Sequence, residues 1–401
     1  MTHQTSPPAN LDWHHERAVA ISAVRRACIV TQKVFETLVS TDHMTKGDSS
    51  PVTVGDFAAQ AVIASILGTV FPDDHIVGEE DAGELRKSEN KELLHHITTL
   101  VNEGLTDDRL SYESEEWAIG LGYDISPREV RDAIDRGNYE GGSIGRMWTI
   151  DPIDGTKGFL RGEQYAVCLS FLLDGAVTVS VIGCPNLPHR TSKPDGPKGY
   201  LFVAVKNQGA ERLSMTGMEP TIITMPTVHP ADVIVLESVE AAHSSHSINS
   251  RVSELLTVEE PPCRMDSQAK YCALAMGRGH LYLRMPTRAD YEEKIWDHSP
   301  GSLLIEEAGG VVSDSKGNSL NFGLGRTLGK NNGVIACSKY LHPKVLDALR
   351  VAMKENRKRT KSREPLKPST PAPAPDQTQA PSHTPSSSIA TSVEELPPYK
   401  P

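Results

Sequence analysis

Apolar positions recur at helical spacing through the first forty residues. Between about Asp12 and Val39, Ile21, Val24, Cys28, Phe35 and Leu38 fall on one face, which predicts a helix. A turn around Lys46–Pro51 separates it from a second helical run, from about Val54 to Thr69, that ends at FPDD. The short run His75–Gly78 reads as a strand leading into Glu79-Glu80-Asp81. Residues from about Ala82 to Gly145 are charged, with weak helical patches near Lys91–Val101 and Arg128–Arg136. The pattern then turns to apolar strands: Met147–Asp151, Tyr165–Leu173 and Ala176–Ile182, the last two joined by the hairpin signal Asp174-Gly175. Tyr200–Val205 and Val233–Leu236 read as further strands. From Ser267 on, a helix, a strand at Leu281–Arg284, a helix at Ser299–Ala308, strands at Gly310–Val312 and Val334–Cys337, and a helix at Leu341–Met353 follow. This alternation predicts a mixed α/β domain with covered sheets.

After about Lys358 the composition shifts. Ten of the 28 prolines lie between Pro365 and Pro401, among Ser, Thr, Ala and Gln. Such a segment buries too little apolar surface to offset its ordering entropy, so a disordered tail is expected, with docking of a partner through it as the alternative. The 401 residues fit one large domain or two ordinary ones, and the net charge of −11 argues against a nucleic-acid polymer or an anionic membrane as partner. It does not argue against a small anionic ligand, because metals invert the local charge of an acidic pocket. The six cysteines show no metal-ligand spacing and read as buried free thiols. No signal region or membrane span is read, so a soluble cytoplasmic or nuclear protein, expected to be a monomer, is the reading.

The densest chemical signal is Asp151-Pro-Ile-Asp154-Gly-Thr156-Lys-Gly-Phe159. A strand is expected to end at Asp151, where Pro152 blocks the ladder. Two carboxylates three residues apart then converge on one small volume and repel unless a cation joins them. Magnesium suits them, since it takes hard oxygen ligands and keeps positions for water and phosphate; the carbonyl of Ile153 offers another oxygen. The N–H groups of Gly155 and Thr156, at a helix start, suit a phosphate oxygen. Glu79 ends one strand, and Asp297 precedes a helix. Either alone reads as an ordinary loop charge or cap. Asp56 is expected in the first turn of its helix, where the dipole favours an acid anyway. His298 reads as a structural neighbour, since magnesium prefers oxygen. Together these residues describe attack of water on a phosphate assisted by two or more magnesium ions, with Thr156 tied to Asp56 as proton acceptor.

GEE at 78–80, DPIDGTKGF at 151–159 and WDHSPGSLLIEEAGG at 296–310 resemble the lithium-sensitive, magnesium-dependent phosphatases related to inositol monophosphatase. PVTVGDFAAQ at 51–60, GNYEGG at 137–142, HSSH at 243–246 and DSQAKYC at 266–272 look like the 3′(2′),5′-bisphosphate nucleotidase branch, in its fungal form. The resemblance implies a layered αβαβα sandwich with the site between two halves: an α+β half at 12–183 and an α/β half at 184–357, flanked by a lead-in at 1–11 and the tail at 358–401. It implies that Glu79, Asp151, the Ile153 carbonyl, Asp154 and Asp297 bind two or three Mg2+ ions. Asp56 and Thr156 would be the proton-accepting pair. Gly155, Thr156, His243, Ser267, Lys270, Arg284 and Asp297 would hold the substrate. Adenosine 3′,5′-bisphosphate is the substrate it implies, with 3′-phosphoadenosine 5′-phosphosulfate and the 2′,5′-bisphosphate as further ones, and a role in sulfate assimilation and salt tolerance. Ser299-Pro300 departs from the small pair common after Trp-Asp-His. The rival readings are a phosphatase of inositol 1,4-bisphosphate and a non-catalytic nucleotide or metal sensor.

Overall fold

A computed structural model describes residues 12–40, 51–107, 119–120, 122–215, 219–240, 245–288 and 291–363. His243 and the proline-rich tail therefore lie outside the described residues. The helices are α1 (His14–Ser40), α2 (Pro51–Val70), α3 (Lys91–Thr106), α4 (Pro127–Asp135), α5 (Thr156–Leu160), α6 (His246–Leu255), α7 (Ala269–Ala275), α8 (Ser299–Glu307) and α9 (His342–Arg363). The strands are β1 (His75–Gly78), β2 (Arg146–Asp154), β3 (Ala166–Leu173), β4 (Ala176–Pro188), β5 (Lys198–Val205), β6 (Gly209–Ser214), β7 (Thr221–Ile223), β8 (Val235–Glu237), β9 (Cys263–Arg264), β10 (Leu281–Arg284), β11 (Gly310–Ser313) and β12 (Val334–Ser338).

Among the described residues, β1 to β7 form one sheet in chain order, antiparallel except for the parallel pair β1–β2, and a second sheet has the order β11-β12-β10-β8-β9. Strands β3 to β5 of the first sheet are mostly apolar on both faces because both are covered. Val167, Leu169 and Phe171 of β3 join one core with α1 and α2. Ala166 and Cys168 of the same strand join another, which takes in α7, α8 and one face of the second sheet through Tyr282 and Ala336. A third core sets Ile248 of α6 and Val345 and Leu349 of α9 against Val235, Leu283 and Ile335 on the far face of the second sheet. The layers are thus helix, sheet, helix, sheet, helix, the αβαβα sandwich expected. The first sheet continues unbroken through β4, across 183/184, to Ile223, and the second begins at Val235.

Two expectations need correction. Strand β2 does not stop at Asp151; it runs to Asp154, with a register shift between those residues. The proline, lacking an N–H, is accommodated in the irregularity. The segment Thr53–Val70 is long and apolar enough to cross a membrane by length and composition, yet most of it is buried against α1 and the first sheet. Its apolar character belongs to a core helix. The Asp174-Gly175 hairpin appears as read: both residues have positive φ, 49° and 75°, as a tight two-residue turn requires.

Candidate active site

Helix α2 begins at Pro51, a residue pre-organised for a first helical position, so Asp56 lies in the second turn and not the first. Dipole stabilisation no longer accounts for it. One turn further on, Gln60 clamps the acidic segment. Its Nε2 donates to the Glu80 carbonyl at 2.6 Å, and its Oε1 accepts from Glu80 N at 3.0 Å. Arg326 holds the same segment from the other side, donating to the carbonyls of Gly78, Gly137 and Tyr139 while its guanidinium lies 4.8 Å over the Trp296 ring. Glu79 is thereby fixed beside the end of β2.

Helix α8 is anchored by a buried triangle of hydroxyls. Thr149 of β2 and Ser170 of β3 lie 2.7 Å apart, and each is 2.8 Å from Ser299 Oγ. This sets Asp297, two residues before the helix, opposite Asp151 and Asp154. Gly301 in the first turn of α8 admits the ring of Tyr271, which a Cβ there would meet at 2.2 Å.

Helix α7 closes the third side. Gln268 N donates to Asp154 Oδ2, its side-chain Nε2 donates to the Trp296 carbonyl at 2.8 Å, and its Oε1 accepts from Gly301 N at 3.0 Å. One residue thus joins three segments that are far apart in the chain. Gly155 makes this approach possible. It sits at φ 89°, and a Cβ there would lie 2.8 Å from Ser267 Cβ. Gly155→Ala is therefore expected to lower stability by more than the ~1–2 kcal/mol of a left-handed residue with a side chain. It should also lose most activity, as thermal unfolding and a turnover assay would show.

The result is a cavity of about 270 Å³ lined by Glu79, Asp151, Ile153, Asp154, Gly155 and Thr156 on one side. Ser267, Lys270, Arg284 and Asp297 line it as well. Among the described residues, every site residue read from the sequence lies there except Asp56, which is buried. Among the described residues, Asp56 and Thr156 make no hydrogen bond with each other, although α2 and α5 pack together.

The carboxyls crowd one another, with Asp56 and Asp151 buried, Asp154 and Asp297 half-buried and Glu79 exposed at the cavity. Burial pushes Asp151 well up, reinforced by Glu79, Asp154 and Asp297. Partial loss of hydration raises Glu79 and Asp154 too, against a hydrogen bond shared with Asp151 in the first case and the charge of Lys270 in the second. Asp297 is pushed well up by burial in spite of Arg284. Asp56 is pushed well up by burial, then by Glu80 and Glu79, and Glu80 reaches about 7 for the same kinds of reason. Asp151 Oδ1 is buried without a hydrogen-bond partner. Converging carboxylates with an orphaned buried oxygen are a poor arrangement for a bare protein and a good one for a hard divalent cation. The donor set therefore fits magnesium.

The cationic wall is built differently from the expectation. Lys270 is buried, donates to the carbonyls of Met265 at 3.0 Å and Ser267 at 2.8 Å, and is lowered by burial to about 8. Ser267, at φ 64°, accepts from Ala269 N at 3.0 Å and keeps its hydroxyl hydrogen to donate. Arg284 is not a bare surface charge. It pairs side-on with Glu293 and lies 3.5 Å from Asp297. Glu293, Asp297 and His298 offer ligand atoms within 4.8 Å of one another, but Glu293 is engaged by Arg284 and His298, and His298 by Tyr271, so they form an ion-paired network and not a metal centre. His298 is the structural neighbour expected. Gln268 and Glu293 do not stand out in the sequence; neither carries a spacing signal, and only the fold reveals what they join.

A profile of the inositol monophosphatase family matches residues 12–354. A protein of Schizosaccharomyces pombe named 3′(2′),5′-bisphosphate nucleotidase is 48% identical over 346 residues, covering 84% of this chain and 96% of its own. One of the same name from Emericella nidulans is 43% identical over 360 residues, covering 86% of this chain and 100% of its own. Among solved structures, an inositol monophosphatase from Zymomonas mobilis aligns with a TM-score of 0.54 at 17% identity, over 85% of this chain and 100% of its own. CysQ from Bacteroides thetaiotaomicron, described as a bacterial member of the inositol monophosphatase family, aligns with a TM-score of 0.53 at 18% identity, over 82% and 99%. These structural likenesses speak for the fold.

Proposed function

The chain belongs to the inositol monophosphatase family, whose members are metal-dependent phosphatases, and on that footing we propose that it hydrolyses the 3′-phosphate of adenosine 3′,5′-bisphosphate to AMP and phosphate. 3′-Phosphoadenosine 5′-phosphosulfate and the 2′,5′-bisphosphate are further substrates in this reading. The observation that carries it is that one cavity sets a cluster of converging carboxylates beside the two cations Lys270 and Arg284. Such a site suits a substrate with one phosphate to cleave and another to keep.

Glu79, Asp151, Asp154, Asp297 and the Ile153 carbonyl would hold two or three Mg2+ ions. When bound, such ions neutralise charge on the phosphoryl oxygens and lower the pKa of water. The N–H groups of Gly155 and Thr156 receive a phosphate oxygen. Thr156 orients the attacking water, and the proton passes toward Asp56, whose affinity for protons is raised by burial and by Glu80 and Glu79. Lys270, Arg284 and the Ser267 hydroxyl hold the 5′-phosphate, with His243 beside the nucleoside.

Phosphate release from adenosine 3′,5′-bisphosphate and from inositol 1,4-bisphosphate, with and without Mg2+ and with added Li+, tests the proposal. Mg2+-dependent, Li+-inhibited release that favours the nucleotide is expected. Preference for the inositol compound would defeat the substrate assignment, and tight nucleotide binding without turnover would favour the sensor.

Lys270 adds a pH signature. With its pKa lowered to about 8, it loses its charge above that pH. The KM for the bisphosphate is expected to rise through that range, and Lys270→Arg to flatten the rise, because guanidinium does not titrate there. A KM independent of pH between about 7 and 9 would remove Lys270 from the phosphate site.

A further inference from the structure

Glu293 is absent from the cavity wall, yet its side chain is 3% exposed and both its oxygens are committed. Oε1 accepts from Arg284 Nε at 3.0 Å, and Oε2 lies 2.7 Å from Arg284 Nη2 and 3.2 Å from His298 Nε2. His298 is fully buried and contacts the Tyr271 hydroxyl through Nδ1 at 2.8 Å. Tyr271 in turn is wedged against Gly301. A continuous buried chain thus runs from the α7–α8 contact to the guanidinium on the cavity wall.

The geometry has two physical consequences. An arginine on a free stem loses its rotamer freedom on gripping a phosphate; a two-point pairing with a rigid carboxylate removes that freedom in advance. The next carboxylate within reach of Arg284 is Asp297, at 3.5 Å. Without Glu293 the guanidinium would be free to swing toward Asp297 and away from the phosphate side of the cavity.

We propose that Glu293 is the positioning residue for Arg284: it fixes the guanidinium in the pose that receives the phosphate the enzyme keeps, and holds it off Asp297. This rests on the assignment of Arg284 to the 5′-phosphate made above.

The test compares adenosine 3′,5′-bisphosphate with adenosine 3′-monophosphate, which lacks the retained phosphate, using the Mg2+-loaded full chain. Glu293→Gln keeps the shape but turns a donor toward Arg284 or His298 in place of an accepting oxygen. The KM for the bisphosphate is expected to rise about ten-fold with little change in kcat, while kcat/KM for the monophosphate stays put. In an Arg284→Ala background, Glu293→Gln should add nothing to the bisphosphate KM. Should Glu293→Gln fold poorly by thermal unfolding, Glu293→Asp, which keeps the charge, is expected to show the same substrate-selective effect in smaller measure. Equal losses on both substrates, an unchanged bisphosphate KM, or a further loss on top of Arg284→Ala would each overturn the role. Wild-type enzyme that does not distinguish the two substrates would overturn the Arg284 assignment itself, and that result is obtained ahead of the Glu293 variants.

Discussion

Asp154→Asn is expected to abolish hydrolysis while leaving the fold in place. The residue sits at the end of β2 among Glu79, Asp151 and Asp297, and its Oδ2 accepts from Gln268 N. An asparagine keeps the shape and an oxygen for that hydrogen bond, and it removes one charge from a site that already holds too many. Metal-free stability should therefore be unchanged or slightly higher. Turnover should fall by more than about a hundred-fold, since even the partners that only orient metal ligands cost 10–100-fold when lost. Phosphate release and thermal unfolding on the same preparation check both halves. Near-normal turnover would contradict the metal assignment, and a collapsed unfolding temperature would make Asp154 a structural residue.

A second large effect is expected when divalent metal is removed, and it should depend on pH. Burial and mutual repulsion raise Asp56, Glu79, Asp151, Asp154 and Asp297 above ordinary carboxylate values, and Glu80 to about 7. For acids raised in the folded state, the contribution to stability is complete below the unfolded value near 4 and is lost as pH rises through the folded value. The metal-free protein is therefore most burdened by these groups at neutral pH, where they must either ionise against one another or hold protons. A cation needs them ionised, so it competes with protons for the same oxygens. Mg2+ at about a hundred times its Kd should add about 2.7 kcal/mol near pH 7.5 and much less near pH 5. Unfolding of chelator-treated protein with and without Mg2+ at both pH values measures this. A gain equal at both, or larger in acid, would show that the carboxylates do not hold the ion.

Much of the fold is legible in the amino-acid pattern, for identifiable reasons. Strands β3 to β5 are covered on both faces, so they read as unbroken apolar runs; β10 and β12 do the same in the second sheet. Strands β6, β7 and β9 escape detection because they are short edge or near-edge strands, and Glu211, Arg212 and Arg264 give them no apolar period. The end of β2 is misplaced by sequence because a proline ordinarily stops a ladder, and only the partner strand reveals the irregularity that admits it. In the site, the acids of DPID announce themselves by spacing, whereas Glu79 and Asp297 look like ordinary charges until β1 and α8 bring them to the same cavity. Asp56 needs no explanation if its helix starts at Val54, and needs one once the helix starts at Pro51. Gln268 acts by joining segments distant in the chain, and Glu293 by meeting Arg284 and His298, which the fold turns toward it; local sequence carries no trace of either.

The most direct measurement is the anomalous signal of crystals grown with Mn2+ in place of Mg2+, with AMP and phosphate present. Peaks bounded by the side chains of Glu79, Asp151, Asp154 and Asp297, with phosphate between the metal and Gly155-Thr156, are what the assigned residues require. Ordered nucleotide and phosphate in that cavity with no peak among those four acids would contradict it.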